Sequence, residues 1–426
     1  MAEAYVDKRA ISKNIAELHL DYRKSIDYSR GKSSITVGLS WVSIFKGIKG
    51  NQMPHLTTLV LHEVVLVEVW IRCTLKSQTL RRLHLDACVC CPWTKPFPST
   101  KVSELVIQDA KYSQELEALV IFLAPQLGVL EVHNTVWFDF SDGSLSTVFP
   151  ETCPHLRKYV LRLPISGSGS FITPLREFLM RTTTIEDLEL SIVFSSDTLP
   201  LPSSALPNLR LFDTTLSTGL EFFTGPRKLS ILRLRDDLVQ LDHHDFAQRF
   251  SQVRYDVAEL HLALHQHKQV QLLALLNQGL PNIEKLHLDM RSNRLPQNDS
   301  ITNGDHTTLS SILLWVSKFV DCVTPACPDD DDHSRRLSSH KLKKIDVDLE
   351  VDSMETTPHA FRERLHGVVA AKCPALKEAY FRVWKVNAQG VREAEPRLWA
   401  RWRMGIKENW CYEGGYVSKH ESHESL

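Results

Sequence analysis

A short phrase recurs along this chain and constrains its fold more than any other feature. The first, fourth and sixth positions of the phrase are apolar, as in LRRLHL from Leu80 and IEKLHL from Ile283. The phrase begins thirteen times, at Ile15, Leu56, Leu80, Val102, Leu127, Leu156, Ile185, Leu209, Leu229, Val257, Ile283, Leu342 and Leu376. The nine consecutive intervals from Leu56 to Ile283 all lie between 20 and 29 residues. Such regular spacing indicates internal structural repeats.

The pattern within each repeat predicts one strand followed by a connecting segment. Positions four and six alternate as a strand requires when both side chains face one core. Between the phrases, amphipathic sequences predict helices at residues 113–124, 172–181, 245–253, 267–278, 309–323 and 360–372. Intervals of 20 to 29 residues are typical of leucine-rich repeats. The sequence therefore predicts an α/β leucine-rich-repeat solenoid, with a curved parallel sheet on the concave side and helices and irregular segments on the convex side.

The repeats also predict how the chain is divided. The 59-residue interval after Ile283 contains two polar sequences rich in Pro, Gly, Ser and Asp, which we interpret as mobile inserted loops. An irregular extra strand is expected at residues 35–39. The end of the chain contains four of the nine tryptophans, which suit a cap over exposed core. The expected segments are a lead-in at 1–14, a solenoid at 15–383 with inserted loops at 292–307 and 324–340, a Trp-rich C-terminal cap at 384–416 and a disordered tail at 417–426.

Prolines near the repeat entries, together with the Trp-rich end, give the chain a family resemblance. The entries include CPHL from Cys153, LPNL from Leu206 and CPAL from Cys373. From Ile15 to Cys411 the chain resembles the leucine-rich-repeat region of F-box-type proteins, in the divergent form found in fungi. The resemblance implies the substrate-recognition part of a ubiquitin-ligase receptor.

The helical F-box that docks the ligase adaptor in that family has no counterpart in this sequence. The fourteen residues before Ile15 do not resemble it. We therefore expect the substrate-holding function and not adaptor docking. Two interpretations stay open: a bare binding scaffold, or a chain that lacks an upstream F-box or other domain.

Positions three, five and seven of each repeat, counted from the first residue of the phrase, are predicted to point away from the core, towards the concave side. They carry a mixture of charges interrupted by small apolar residues, a pattern suited to a protein or peptide partner. The predicted protein-binding residues are His19, Arg82, His84, Glu131, Lys158, Glu189, Asp213, Arg233, Arg235, His261, Lys285, His287 and Tyr380. The histidines at position five suggest either a pH-responsive contact surface or simple tolerance of histidine on an exposed strand.

Charge and hydropathy exclude several other classes of partner. The chain has 50 Lys and Arg residues against 51 Asp and Glu residues, and this balance argues against a nucleic-acid or anionic-membrane partner. The longest apolar stretch, from Leu59 to Ile71, is interrupted by His62, Glu63 and Glu68. Nine cysteines, an odd number, without an apolar N-terminal signal favour reduced thiols in the cytoplasm or nucleus.

No pattern of residues predicts a metal, a cofactor or a catalytic centre. Cys88, Cys90 and Cys91 lack the second pair of ligands that a zinc site needs, and a core role for Cys88 explains the cluster without metal. Hydrolase, metalloprotease and nucleotide-binding motifs are missing. We therefore predict a protein-binding scaffold that is not an enzyme. The alternative is a leucine-rich-repeat sensor or inhibitor that acts by steric occupation and is unrelated to ubiquitin; a GTPase regulator or enzyme is a weaker hypothesis.

Overall fold

The chain divides into two compact units, residues 1–209 and residues 210–426. A computed structural model of the protein describes part of each unit. The described residues are 16–21, 45–49, 53–110, 113–133, 149–166, 172–193, 201–202, 204–215, 218–219, 227–235, 255–265, 282–291, 343–351, 377–385, 398–404 and 410–416.

The first unit contains a parallel sheet whose strands follow one another in chain order. Its described strands are β1 (Glu17–Asp21), β2 (Thr58–His62), β3 (Val65–Leu66), β4 (Arg82–Asp86), β5 (Val89–Cys90), β6 (Glu104–Gln108), β7 (Val129–His133), β8 (Lys158–Ser166) and β9 (Asp187–Val193). The seven longer strands pair in parallel, each with the next along the chain. The short strands β3 and β5 form a separate parallel pair.

The inward positions of these strands stack in register and form the core. Position four of the repeat is a leucine in four neighbouring strands: Leu59 in β2, Leu83 in β4, Leu105 in β6 and Leu130 in β7. All four are 0% exposed. The leucines and valines at position one are equally buried. A one-residue slip of any strand would turn its aliphatic side chains to the solvent, so this burial fixes the register.

The helices that connect strands of the first unit include α1 (Glu68–Leu75), α2 (Gln114–Leu123) and α3 (Ile172–Arg181); residues 45–49, between β1 and β2, are also helical. Helices α2 and α3 confirm the predictions at 113–124 and 172–181. Helix α2 begins where Ser113 accepts a hydrogen bond from the backbone N–H of Leu116, as an N-cap does. Helix α3 packs on the inward side of the sheet, because the ring of Phe178 lies 4.9 Å from the ring of Tyr159 in β8.

The chain leaves strands β2, β4 and β6 through a left-handed turn at position eight of the repeat. Glu63, Ala87 and Asp109 have φ angles of 55°, 50° and 48°. Each backbone N–H at these residues donates to a carbonyl at the end of the next long strand, at distances of 2.8 to 3.0 Å. The turn therefore adds one more hydrogen bond to each rung of the sheet, although none of the three residues is glycine.

The second unit continues the same repeat and then reverses direction. Its described strands are β10 (Leu211–Thr215), β11 (Arg227–Arg235), β12 (Tyr255–His265), β13 (Lys285–Arg291), β14 (Lys344–Val351), β15 (Glu378–Lys385), β16 (Leu398–Met404) and β17 (Trp410–Tyr416). Strands β10 to β15 pair in parallel in chain order. Strands β16 and β17 then add in antiparallel order. Both antiparallel strands fall within the segment predicted as the cap, and β15 runs two residues past residue 383.

The thirteen parallel strands, most of which bury aliphatic side chains at their inward positions, confirm the predicted α/β leucine-rich-repeat fold. Several other sequence predictions lie outside the described residues. They are the lead-in at 1–14, the strand at 35–39, the helices at 245–253, 267–278, 309–323 and 360–372, the inserted loops at 292–307 and 324–340, and the tail at 417–426.

Candidate functional site

The candidate site is the outward face of each parallel sheet, formed by positions three, five and seven of the repeats. In β4 the inward Leu83 and Leu85 are buried, whereas Arg82, His84 and Asp86 are partly exposed. The thirteen residues predicted to bind a partner all occupy outward positions of the repeat. Asp213 differs from the rest because it is only 6% exposed. Their binding role stays a prediction.

On the first unit, the outward charges pair with one another across neighbouring strands. Glu131 lies at the centre of one cluster: Lys158 Nζ is 2.6 Å from its Oε1, and His133 Nε2 is 3.3 Å from its Oε2. The hydrogen bond from His133, assisted by Lys158, lowers the pKa of Glu131 to about 2 although burial opposes this. Arg162 Nε lies 2.5 Å from Glu189 Oε1 in a similar pair. These contacts order the side chains before any partner arrives.

His84 occupies a drier part of the same face. The outward residue opposite it on β6, Val106, is only 3% exposed. His84 Nε2 is buried and has no hydrogen-bond partner among the described residues. Burial lowers the pKa of His84, so the neutral ring is favoured here. The neutral ring therefore lies beside a small apolar surface, with its Nε2 buried.

On the second unit, Asp213 is held by two close contacts from one arginine. Arg235 Nε donates to Asp213 Oδ1 at 2.9 Å, and Arg235 Nη2 lies 2.8 Å from the same oxygen. Arg233, two residues earlier on the same strand, is farther away: its Nη1 is 4.0 Å from Asp213 Oδ2. The two predicted arginines therefore stand in different environments on one carboxylate.

A histidine pair lies on the strands beside Arg233. The rings of His261 and His287 are 5.1 Å apart, and His261 Nε2 is 2.7 Å from Glu259 Oε1. Lys285 Nζ lies 3.2 Å from the other oxygen of Glu259. Burial raises the pKa of Glu259, but hydrogen bonds from His261 and Lys285 outweigh it, so the pKa is lowered overall. Burial also lowers the pKa of His261.

A third cluster contains residues that the sequence did not single out. Asp348 is 5% exposed, and it accepts hydrogen bonds of 2.6 Å from Arg382 Nη2 and 2.7 Å from Trp384 Nε1. His287 Nε2 lies 3.5 Å from Asp348 Oδ2. The guanidinium of Arg382 also lies 5.0 Å from the ring centre of Tyr380, a cation–π distance. Trp384 was assigned to the cap, so its role in this cluster could not be seen from the repeat pattern.

Among the described cysteines, Cys73, Cys88 and Cys153 are buried in the core, whereas Cys90 and Cys91 are partly exposed. Cys88 is 2% exposed, and its thiol donates to the carbonyl of Leu61 at 3.2 Å. Burial raises the pKa of Cys88, Cys90 and Cys153 to about 12. Across the residues that the structure describes, no group of three or more His, Cys, Asp or Glu side chains has an arrangement that could hold a metal ion. Within the same residues, no helix is long and apolar enough to cross a bilayer.

Parallel rungs with aliphatic inward positions and charged outward positions define a protein of the leucine-rich-repeat class. Among solved structures, the chain is similar to the leucine-rich repeat-containing protein LegL7 from Legionella pneumophila, with 11% identity, over 89% of this chain and 86% of that chain, at a TM-score of 0.32. No protein-family model matches the chain. No curated protein sequence matches it either. The fold assignment therefore rests on the strand register and the burial pattern.

Proposed function

We propose that the protein is a binding scaffold whose outward sheet faces dock a protein partner. The observation that carries this proposal is the register of the outward side chains: rungs about 4.8 Å apart present charged, imidazole and aromatic groups in fixed rows. Fixed rows of this kind match an extended or folded protein surface better than they match a small molecule, which needs a concave pocket with convergent groups.

The pairing between neighbouring rungs supports docking of a partner. Side chains such as Lys158 and Glu131 already contact each other across neighbouring strands, which reduces the conformational entropy that is lost when a partner binds. The faces also mix both signs of charge, which favours a partner with a complementary pattern over a uniformly charged nucleic acid or membrane. We place this surface on the concave side of the repeat, where leucine-rich repeats bind their partners.

The resemblance to F-box-type proteins extends the proposal to a particular role. We propose that the chain is the substrate-recognition part of such a receptor, without a resident cofactor or catalytic activity, and without its own contact to the ligase adaptor. We also propose that it resides in the cytoplasm or nucleus. The free thiols of the described cysteines suit a reducing compartment.

Affinity capture with the full chain as bait tests the proposal. Two variants alter the outward faces: Arg82→Glu in the first unit and Lys285→Glu in the second, whose side chains are 43% and 57% exposed. Arg176→Glu is the matched control, because Arg176 is exposed on α3, on the other side of the sheet. We expect a prey that binds the wild type and Arg176→Glu, and that is weakened by at least one outward variant in direct binding with purified components.

The opposite results are equally clear. A prey retained by both outward variants and lost with Arg176→Glu would assign binding to the helical side and contradict the proposal. Recovery of a ubiquitin-ligase adaptor bound directly to the chain would contradict the absence of an adaptor contact. A prey with no link to ubiquitin transfer would favour the sensor or inhibitor alternative.

A further inference from the structure

Arg233 is a cation whose charge the neighbouring strands only partly compensate. It occupies position five of the repeat in β11, and its side chain is 42% exposed. Its Nε is buried and has no hydrogen-bond partner among the described residues. The nearest carboxylate oxygen, Asp213 Oδ2, lies 4.0 Å from Nη1, beyond hydrogen-bonding distance. The fork of guanidinium donors that binds a carboxylate in bidentate fashion is therefore largely unused.

The neighbouring carboxylates are engaged by other cations. Arg235 holds Asp213 through contacts of 2.9 and 2.8 Å. On the next strand, Glu259 accepts from Lys285 Nζ at 3.2 Å and lies 2.7 Å from His261 Nε2. Arg233 is thus the second arginine on a carboxylate that the first arginine already neutralises, and an incoming carboxylate would meet a surplus of positive charge.

An apolar shelf lies directly beside Arg233. Leu211 of β10 and Ile231 of β11 occupy position three of neighbouring strands, pair in register and are both partly exposed. Ile231 is two residues from Arg233 along the strand, about 7 Å at the rise of an extended chain. On the other side, Ala263 at position seven of the repeat in β12 has a short, partly exposed side chain. A cation and an aliphatic surface are therefore presented together.

We propose that this part of the second unit binds a protein segment in which an aspartate or glutamate lies next to an aliphatic residue. The carboxylate occupies the guanidinium of Arg233, and the aliphatic side chain covers Leu211 and Ile231. The inference rests on the proposed protein-binding function and specifies the chemistry of the partner. A phosphate-rich partner fits less well, because Arg233, Arg235 and Lys285 exceed Asp213 and Glu259 by a single positive charge, whereas a row of phosphates needs several cations.

Selection from a random twelve-residue peptide library displayed on phage, against the immobilised full chain, tests the inference. The enriched peptides are synthesised, and their affinities are measured for wild type, Arg233→Gln and Lys228→Gln. Lys228→Gln is the matched control: Lys228 is an exposed cation at the start of the same strand, so both variants lose one positive charge. Circular dichroism and the thermal midpoint show whether each variant keeps the fold.

We expect enriched peptides that contain Asp or Glu beside Leu, Ile or Val. Arg233→Gln should weaken their binding about tenfold or more, which corresponds to about 1.4 kcal/mol, and Lys228→Gln should not. Exchange of the peptide carboxylate for its amide should weaken binding to the wild type by a similar factor. The two changes together should weaken it no further, because both remove one contact. The peptide exchange keeps the test decisive even if Arg233→Gln unfolds.

Two negative outcomes have different meanings. Peptides that lack a carboxylate, or that bind Arg233→Gln and wild type equally while Lys285→Glu weakens them, would overturn this inference and leave the proposed function intact. If no enriched peptide responds to Arg233→Gln, Lys285→Glu or Arg82→Glu, or if no peptide is enriched, both the inference and the proposed binding faces would be wrong.

Discussion

Replacement of Glu131 by glutamine should destabilise the first unit in a pH-dependent way. Glu131 is 13% exposed in its side chain, and its contacts with His133 and Lys158 lower its pKa from 4.5 to about 2. At about 1.36 kcal/mol per pKa unit, this shift corresponds to about 3 kcal/mol of stability. Glutamine keeps the shape but cannot carry the charge, so most of this contribution should disappear at pH 7.

The sign of the pH dependence follows from the direction of the shift. Between about pH 4.5 and pH 2 the unfolded state holds a proton that the folded state does not. The stabilisation from Glu131 is therefore complete above about pH 5 and is lost as the pH falls through this window. The stability difference between wild type and Glu131→Gln should thus be largest at neutral pH and shrink towards pH 2.

Hydrogen–deuterium exchange of peptides covering β7 and β8 measures this difference locally. At pH 7, about 3 kcal/mol corresponds to exchange about a hundredfold faster in Glu131→Gln than in wild type. Glu104→Gln is the control on β6, since its contact with Arg82 is 3.9 Å long and both side chains are more than a third exposed, so its effect should be below about 1 kcal/mol. A difference that stays constant from pH 7 to pH 3, or an equal effect of Glu104→Gln, would refute the reasoning.

Three further predictions concern the core and the turns. Ala87→Gly should raise stability by about 1 kcal/mol, because glycine relieves the left-handed conformation; a lower thermal midpoint would contradict this. Phe178→Ala should cost about 3–5 kcal/mol in urea denaturation, since Phe178 is 0% exposed, whereas Met180→Ala, at an exposed position of the same helix, should change stability by less than about 0.5 kcal/mol. Cys88 and Cys90 should resist iodoacetamide at pH 8 until urea is added, because their pKa of about 12 leaves little thiolate; rapid labelling of the native protein would refute this.

The sequence predicted the strands well because their signal is periodic and local. Apolar residues at positions four and six cannot face solvent in a stack of this kind, so the pattern determined both the register and the outward set. Helix α1 was not predicted, because its sequence EVWIRCTL continues a valine-rich run that is typical of strands. The structure shows why it is helical: Ile71, Cys73 and Leu75 are buried, and tertiary packing outweighs the β propensity of the sequence.

The candidate site was predictable in its position and not in its chemistry. Spacing placed Arg233 and Arg235 on the outward face of one strand. It could not show that Arg235 binds Asp213 closely, whereas Arg233 lies 4.0 Å from the same carboxylate and its charge is only partly compensated. That difference depends on how far each guanidinium reaches towards the carboxylate on the neighbouring strand, and residue spacing does not determine this distance. Trp384 was missed for another reason, because the repeat pattern ends before it and its partner Asp348 is distant in sequence.

The outward ion pairs also bear on how this gene could change. The described pairs lie within one strand, as for His133 and Glu131, or join a strand to its immediate neighbour, with sequence separations such as 22 residues for Arg235 and Asp213 and 27 for Lys158 and Glu131. Excision or duplication of one complete repeat would therefore remove or add contacts only at a single seam. Evolution could lengthen or shorten such a protein one repeat at a time, and thereby move its recognition rows relative to each other while the remaining rungs keep their partners.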